Sequence, residues 1–261
     1  MSFNIIATFR DNENYLVNFL LPILTIMEKS YEFYYYFYEN DSKDNSRKVL
    51  KNFMEERNGE FKYEDINSKT HPRNLDKDRI NNIVNARNNY LNHRPFKGKW
   101  SIMVDSDVIF SPDIIEQFFR IELPHDLVAL GCNGKDSNRC RHHKDCNHYY
   151  DSLALLDKND NLGLDYLCTN GFQCCMLKSE EDRDKWFKGE LVKVNSGYGG
   201  VCFYKTDVLN RDDVYYELPS PINTLCPEKE VICEHWSISE KIRRYGNIYL
   251  CPTIIVKNTE G

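Results

Sequence analysis

The stretch WSIMVDSDVIF, residues 100–110, decides how the rest of the chain is interpreted. Its first five residues are apolar or small, and they predict a short buried β-strand. Asp105 and Asp107 follow this strand directly. Residues two apart in an extended segment point the same way, so the two carboxylates face one side and Ser106 faces the other. Paired carboxylates near a core are costly unless a divalent cation or a basic side chain lies between them.

A divalent cation is one interpretation of this pair. Mg²⁺ and Mn²⁺ prefer oxygen ligands, keep open positions, and neutralise the charge that builds on a diphosphate leaving group. The alternative is an acidic loop or a helix-capping pair, because SPDII follows at residues 111–115 and Ser111 is a good helix cap.

Working outward from this stretch, strand-like and helix-like patterns alternate. Strand patterns occupy residues 3–12, 31–41 and 61–66, and helix patterns occupy residues 14–29, 42–59 and 78–94. The first helix is expected to kink or break at Pro22. The last is expected to bury one face, formed by Ile80, Ile83, Val84 and Leu91. This alternation predicts an α/β fold with a mostly parallel central sheet flanked by helices.

The second half of the chain is less regular. Helix patterns lie at residues 114–122 and 234–246, and strand patterns lie at residues 127–134, 201–209 and 248–256. The sequence contains no repeat, low-complexity tract or linker, which indicates one domain over residues 1–261.

Polar residues follow three of the predicted parallel strands. In open α/β sheets the ligand site lies at the carboxyl ends of the strands. The polar side chains expected at this edge are Arg10, Asp11, Glu39, Asn40, Asp41, Asp105, Ser106 and Asp107. The acids at the second strand end would hydrogen-bond a ribose or a base, or would form an ordinary turn and helix cap. On the preceding helix, either Arg79 or Arg87 could reach a phosphate bidentately. A solvated helix face with ion pairs is favoured for Arg79 and is the alternative for Arg87.

Two later segments carry further candidates. Tyr198, Gly199 and Gly200 lie in a glycine loop that would let the backbone pass close to a ligand. Glu234 opens a helix and could act as a base towards a sugar hydroxyl, and His235 beside it could bind a metal or a phosphate. The alternatives are a carboxylate that interacts with the helix dipole and a packed histidine.

Composition excludes some classes of protein. The net charge of −6 argues against a broad nucleic-acid surface. The apolar stretch at residues 15–27 is too short to cross a bilayer and is interrupted by Asn18 and Pro22. It also lacks the features of a signal peptide, so we expect a soluble, cytoplasmic protein, or alternatively a catalytic domain cut from a longer anchored one.

The chain has ten cysteines, and one segment combines several of them with histidines. Three thiolates and an imidazole from this segment would be an accepted structural zinc set. The spacing contains no compact CxxC pair, so a polar loop with or without a disulfide is the alternative. The residues concerned are Cys132, Cys140, His142, His143, Cys146 and His148.

VDSDVIF after a buried strand resembles the DxD motif of nucleotide-sugar-dependent glycosyltransferases with the GT-A fold. An ordered set of segments also resembles the capsule-associated alpha-1,3-mannosyltransferase-like group of fungal enzymes. These segments are ENDSKDNS at 39–46, ARNNYL at 86–91, YDSLALLD at 150–157, GGVCFY at 199–204 and CEHWSIS at 233–239.

This resemblance implies a single GT-A, Rossmann-like domain, with a nucleotide-donor half at residues 1–110 and an acceptor half at residues 111–261. It implies a GDP- or UDP-sugar donor that is bound near Thr8, Arg10, Glu39, Asn40, Asp41, Arg87, Asp105 and Ser106. Mn²⁺ or Mg²⁺ would be held by Asp105, Asp107 and His235. A glycan or other hydroxyl acceptor would lie near Tyr198, Gly199 and Gly200, with Glu234 and Asp107 as the catalytic residues.

The sequence therefore predicts a metal-dependent glycosyltransferase that moves a hexose, with mannose from GDP-mannose favoured by the resemblance. One alternative is a sugar nucleotidyltransferase, although that class usually has a glycine-rich loop after the first strand and ATFRDNENY at residues 7–15 has no glycine. The other alternative is a non-catalytic zinc- or carbohydrate-binding module that uses the Cys/His segment.

Overall fold

A computed structural model describes residues 1–68, 77–135, 154–163, 177–218 and 233–259 of the chain. The strands are β1 Ser2–Phe9, β2 Glu32–Asn40, β3 Gly59–Glu64, β4 Trp100–Val104, β5 Val108–Ile109, β6 Leu127–Lys135, β7 Leu156–Asp157, β8 Val192–Ser196, β9 Val201–Lys205 and β10 Asn247–Asn258. The helices are α1 Glu13–Tyr15, which runs through a π-helical stretch Leu16–Leu20 into α2 Leu21–Met27, then α3 Ser46–Met54, α4 Lys77–Leu91, α5 Ile114–Arg120, α6 Glu180–Lys188, α7 Thr206–Leu209 and α8 His235–Ile242.

The strands form one sheet in the order β3-β2-β1-β4-β9-β6-β10-β8-β7, and β5 pairs with the end of β10. The four strands β3, β2, β1 and β4 are mutually parallel. Beyond them β9 runs antiparallel to both β4 and β6, and β8 runs antiparallel to β10. The sheet is therefore mixed, and the expected parallel arrangement holds only on the β3–β4 side and for the β6–β10 pair.

Two apolar layers cover the two faces of the sheet. In β1, Phe3, Ile5 and Ala7 pack in one layer with the helical segment 13–27, and Ile6 packs in the other layer with α4. This division follows the period-2 alternation of a strand that is buried on both faces. The aromatic residues of β2 extend both layers, which explains why EFYYYFYEN is apolar on both sides.

Helix α4 departs from its predicted face. Ile80, Val84 and Leu91 are buried as expected, but Ile83 is only half-buried and lines a cleft at the edge of the sheet. The segment that begins at Glu13 stays helical through Pro22 and changes from π-helix to α-helix just before it. Proline is tolerated in the first turn of an α-helix, where its missing N–H group has no partner to lose.

The parallel pairing places three polar strand ends side by side. Phe9 pairs with Glu39, and Ala7 pairs with Val104, so the residues that follow β1, β2 and β4 meet at one edge of the sheet. This confirms that the carboxyl ends of these strands meet at one edge. Within the described ranges, no helix has the length and hydropathy that a bilayer-spanning segment requires.

Candidate active site

Asp105, Ser106 and Asp107 form a half-buried turn between β4 and β5. Hydrogen bonds to two other segments, the glycine loop and Thr259 after β10, hold its backbone. The Asp105 N–H donates to the carbonyl oxygen of Gly200 at 2.9 Å, and both the N–H and the hydroxyl of Thr259 donate to the Asp107 carbonyl, at 2.7 and 3.0 Å. The turn is therefore fixed through its main chain.

Tyr15 reports the charge of this turn. Its hydroxyl donates to the Val108 carbonyl at 2.6 Å. Burial raises the pKa of this phenol above its ordinary value, and the negative charges of Asp107 and Asp105 raise it further. Both carboxylates therefore contribute negative potential at one place, which a cation bound there would relieve.

The oxygen ligands of the turn fit a hard divalent cation, since the turn offers two partly exposed carboxylates. Among the described residues no three His, Cys, Asp or Glu side chains lie together as a metal cluster. Mg²⁺ commonly binds through one or two carboxylates and completes its shell with phosphate oxygens and water. The protein side of such a site would thus be Asp105 and Asp107.

A cleft of about 330 Å³ runs along the carboxyl ends of β1 and β2 to this turn. Its volume is within the range of small-molecule sites. It is lined by Thr8, Phe9, Arg10, Asn40, Ser68, Arg79, Asn82, Ile83, Ala86 and Ser106. Of the residues predicted to bind a donor, Thr8, Arg10, Asn40 and Ser106 lie here.

Four of the lining residues belong to α4 and were not predicted as site residues. Arg79, Asn82, Ile83 and Ala86 are spaced i, i+3, i+4 and i+7, which places them on one helix face. This spacing is visible in the sequence and could have identified the cleft wall. Ser68, from the loop after β3, carries no comparable signal.

Asp41 shapes the cleft rather than lining it. Its carboxylate accepts hydrogen bonds from the Ser68 N–H at 3.0 Å, the Ser68 hydroxyl at 2.6 Å and the Asn67 N–H at 2.9 Å. Burial alone would raise the pKa of this carboxyl, but hydrogen bonds from Ser68 and Asn40 outweigh it and lower the pKa to about 2. Arg10 holds the same loop, because its guanidinium donates to the Ser68 hydroxyl at 2.7 Å and to the Ser68 carbonyl at 2.9 Å.

Glu39 lies away from the cleft, although it was predicted to contact a donor. The residue is fully buried, accepts a hydrogen bond from Arg47 Nε at 2.5 Å, and accepts another from the Ser42 N–H at 2.8 Å. It therefore anchors α3 to the end of β2. A carboxylate after a strand gives the same sequence pattern whether it faces a ligand or an internal arginine.

The two arginines of α4 have opposite environments. Arg79 is half-buried, lines the cleft, and has no hydrogen-bond or ion-pair partner among the residues that the structure describes. Arg87 is buried beneath the Asp105 turn. The sequence favoured a solvated face for Arg79 and a phosphate contact for Arg87, so the structure reverses which of the two lines the cleft.

Arg87, Asp105, Glu234 and His235 form what we call the charge cluster. Arg87 Nη2 donates to Asp105 Oδ1 at 3.0 Å, and Arg87 Nε lies 2.9 Å from Glu234 Oε1. Burial alone would lower the pKa of the guanidinium, but Asp105 and Glu234 raise it well above its ordinary value. Burial alone would raise the pKa of Glu234, but Arg87 and His235 lower it. Arg87 is therefore charged and paired with two carboxylates.

His235 packs against aromatic rings. It stacks on Tyr198 with ring centroids 4.0 Å apart and meets Tyr216 edge-on at 6.0 Å. Burial and the charge of Arg87 lower the pKa of its imidazole to about 3, so the ring is neutral at physiological pH. Its Nε2 lies 3.5 Å from Glu234 Oε1. These contacts describe a packed histidine, and its predicted role as a metal ligand stays untested.

The glycine loop packs against the Asp105 turn. Gly199 and Gly200 have φ of 74° and 80°, and a Cβ on Gly200 would lie 2.5 Å from Val108 Cγ1. Tyr198 is fully buried, with the Arg87 guanidinium 5.3 Å from its ring centroid. Their predicted contact with an acceptor stays a prediction, and the described contacts of Tyr198 and Gly200 link the loop to the charge cluster and to the turn.

Cys132 is the one member of the predicted zinc set within the described residues. It is fully buried in β6, and burial raises the pKa of its thiol well above the ordinary value. A thiol that resists ionisation is a poor zinc ligand. Cys140, His142, His143, Cys146 and His148 lie outside the described residues, as does the first half of the YDSLALLD segment.

Comparison with known proteins places the fold. No family model matches the chain, and no curated protein matches it. Residues 1–349 of S. aureus TarS, also solved in complex with UDP-GlcNAc, share the fold at a TM-score of 0.56 and 15% identity, over 99% of this chain and 60% of that one.

Two further solved structures are similar. The mannosyltransferase PcManGT from Pyrobaculum calidifontis, in complex with GDP-Man and Mn²⁺, matches at a TM-score of 0.52 and 11% identity over 98% of this chain and 56% of that one. GalNAc-T7, with UDP, GalNAc and Mn²⁺, matches at a TM-score of 0.51 and 12% identity, over 100% of this chain and 44% of that one. The chain thus spans about half the length of these proteins. It shares its mixed α/β fold with these structures.

Proposed function

We propose that this protein is a metal-dependent glycosyltransferase that transfers a hexose from a nucleoside diphosphate sugar to a hydroxyl acceptor. The observation that carries the proposal is the cleft that runs along the parallel strand ends and reaches the half-exposed carboxylates of Asp105 and Asp107. The solved structures with the same fold include complexes with UDP-GlcNAc and with GDP-Man and Mn²⁺, which is consistent with this use of the edge.

The nucleoside would occupy the cleft between Asn40 and α4. Its diphosphate would extend towards the Asp105 turn, where the guanidinium of Arg79 is available for charge-assisted hydrogen bonds to phosphate oxygens. A divalent cation bound by Asp105 and Asp107 would neutralise negative charge on the departing nucleoside diphosphate. Residues 1–110 would thus hold the donor, and residues 111–261 would hold the acceptor.

The environment of Glu234 bears on the stereochemistry. An inverting transfer needs a free carboxylate to accept the proton of the acceptor hydroxyl, whereas a retaining transfer does not require that base. Glu234 is buried and paired with Arg87. Burial alone would raise its pKa, but the positive charge of Arg87 outweighs this effect and lowers the pKa. A carboxylate held in this way is a weak base, so we favour retention. The resemblance to the alpha-1,3-mannosyltransferase-like group favours mannose as the sugar.

Nucleotide binding tests the proposal. A thermal-shift panel of GDP-, UDP- and CDP-sugars, each with and without Mn²⁺, should show one nucleotide that stabilises the protein only when Mn²⁺ is present. A ligand at a hundred times its dissociation constant stabilises by about 2.7 kcal/mol. Asp107→Asn should abolish the Mn²⁺-dependent part, and Asp212→Asn, which removes an exposed acid outside the cleft, should retain it.

Turnover tests the same residue. Release of nucleoside diphosphate from the stabilising sugar nucleotide should fall at least about 100-fold in Asp107→Asn, the scale seen when one transition-state electrostatic contact is lost. The variant should unfold at the same temperature as the wild type in the absence of Mn²⁺. Full turnover by a folded Asp107→Asn variant, or no stabilisation by any nucleotide with Mn²⁺, would contradict the proposal.

A further inference from the structure

Arg87 makes an unusual set of contacts for a residue beside a cation site. It is 8% exposed and lies between two carboxylates, Asp105 on the donor side and Glu234 on the other. The rings of Tyr198 and Tyr216 lie 5.3 and 5.7 Å from the guanidinium and exclude water from it. A buried guanidinium needs a counter-charge, because an unpaired buried charge is strongly destabilising.

The two carboxylates are not equivalent. The Asp105 side chain is 27% exposed and lies on the turn that faces the cleft, whereas the Glu234 side chain is only 7% exposed. A cation arriving from solvent can reach Asp105 but meets Arg87 already on it. If the cation takes Asp105, Arg87 keeps Glu234 as its partner and is not left as an isolated buried charge.

We propose that Arg87 is an internal counter-ion that occupies Asp105 when no divalent cation is bound, with Glu234 as the partner that retains it when a cation binds. This inference rests on the proposed function, which supplies the cation. It assigns Glu234 a positioning role in place of its predicted role as a base. It also has a consequence for binding: free cation binds weakly because it must displace Arg87, whereas a nucleoside diphosphate adds phosphate ligands that offset the displacement.

The double variant Arg87→Gln with Glu234→Gln isolates this effect. It removes one positive and one negative charge, so the net charge around Asp105 is unchanged and a general charge effect is absent. Replacing a buried ion pair by neutral residues of similar size is often close to neutral for stability. Arg120→Gln is the control, since it removes an exposed arginine from α5 that lies outside the cleft and the charge cluster.

Binding of Mn²⁺ alone, followed by electron paramagnetic resonance, gives a readout that does not depend on turnover. The double variant should bind Mn²⁺ about tenfold more tightly than the wild type, within the usual range of coupling between sites. Arg120→Gln should stay within about twofold of the wild type. Adding GDP or UDP should tighten Mn²⁺ binding more in the wild type than in the double variant.

The outcomes separate the inference from the proposed function. Equal Mn²⁺ affinity in the wild type and the double variant, with nucleotide-dependent Mn²⁺ binding in both, overturns the counter-ion inference and leaves the proposed function intact. Absence of Mn²⁺ binding in the wild type with either nucleotide contradicts both. If the double variant does not fold, Glu234→Gln alone should weaken Mn²⁺ binding, because Arg87 then has only Asp105; unchanged binding would overturn the inference.

Discussion

Two arginines of one helix, Arg79 in the cleft and Arg87 in the charge cluster, show how differently the two sides of the Asp105 turn are built. Eight residues on an α-helix correspond to a rise of about 12 Å and a rotation of about 80°. Arg79 therefore reaches the cleft beyond the strand ends, and Arg87 reaches beneath the turn. Arg79 has no hydrogen-bond or ion-pair partner among the described residues, whereas Arg87 is paired with two carboxylates. The guanidinium in the cleft is available to a ligand, whereas the charges of the charge cluster are paired with one another.

The charge cluster should be the more sensitive of the two to substitution. Arg87→Ala leaves Asp105 and Glu234 without their shared cation, and losing one partner of a buried ion pair costs about 3–5 kcal/mol. The free energy of unfolding from urea titration, measured without Mn²⁺, should fall by this amount. Arg79→Ala should change it by less than about 0.5 kcal/mol, as expected at a site without such a network. Equal losses of unfolding free energy in Arg87→Ala and Arg79→Ala would contradict the difference proposed between the charge cluster and the cleft.

The glycine loop links the charge cluster to the Asp105 turn, so a change there should disturb both. Gly200→Ala places a methyl group 2.5 Å from Val108 Cγ1 at a φ of 80°, and we expect a loss of about 1–3 kcal/mol in the free energy of unfolding. Gly189→Ala is the matched control. Gly189 has nearly the same φ, 79°, but an added Cβ would only approach Thr253 at 3.1 Å. A Gly189→Ala loss as large as that of Gly200→Ala would show that backbone strain alone matters.

The cleft should respond in ligand binding rather than in stability. Arg79→Gln should weaken binding of GDP or UDP about tenfold, or 1.4 kcal/mol, because it removes a charged donor to the diphosphate. Binding of guanosine or uridine, which lack phosphates, should change little. Calorimetric titration of the four ligands, with Arg79→Lys as the charge-retaining control, checks this. Equal weakening for nucleosides and nucleotides would show that Arg79 contacts the nucleoside and not the phosphates.

The smallest expected effect is the pH dependence that Asp41 gives to the cleft. Its folded pKa, about 2, is below the ordinary value of 3.8, so the folded state favours its carboxylate. The stabilisation is complete above the unfolded pKa and is lost as the pH falls from about 4 through 2. Asp41→Asn should lower the free energy of unfolding by about 1 kcal/mol at pH 7, and this difference should shrink in acid. A difference independent of pH would contradict the assigned cause.

Much of the sheet edge that carries the cleft could be predicted from the sequence, because its signals are local. The alternation of residues in β1, β2 and β4 and the helical pattern of α4 predict these elements and bring their polar ends to one edge. Strand direction in the second half has no such local signal. VCFYK reads the same whether it runs parallel or antiparallel, and only tertiary pairing places β9 between β4 and β6 against their direction.

The roles of single carboxylates were harder to predict. Glu39 and Asp41 follow a strand as ligand-binding acids often do, yet one pairs with Arg47 and the other orders the Ser68 loop. Pairing between Arg87 and Glu234 joins residues 147 positions apart, so no spacing rule could predict it. Sequence patterns locate charged side chains at an edge, but the partners of each charge depend on distant elements.

A crystal structure of the protein with Mn²⁺ and GDP or UDP tests the central claim most directly. We expect the nucleotide in the cleft with its phosphates at Arg79, the cation on Asp107 and Asp105, and Arg87 on Glu234 alone. A nucleotide bound elsewhere, or a turn in which neither carboxylate touches the cation while Asp105 stays on Arg87, would contradict the account.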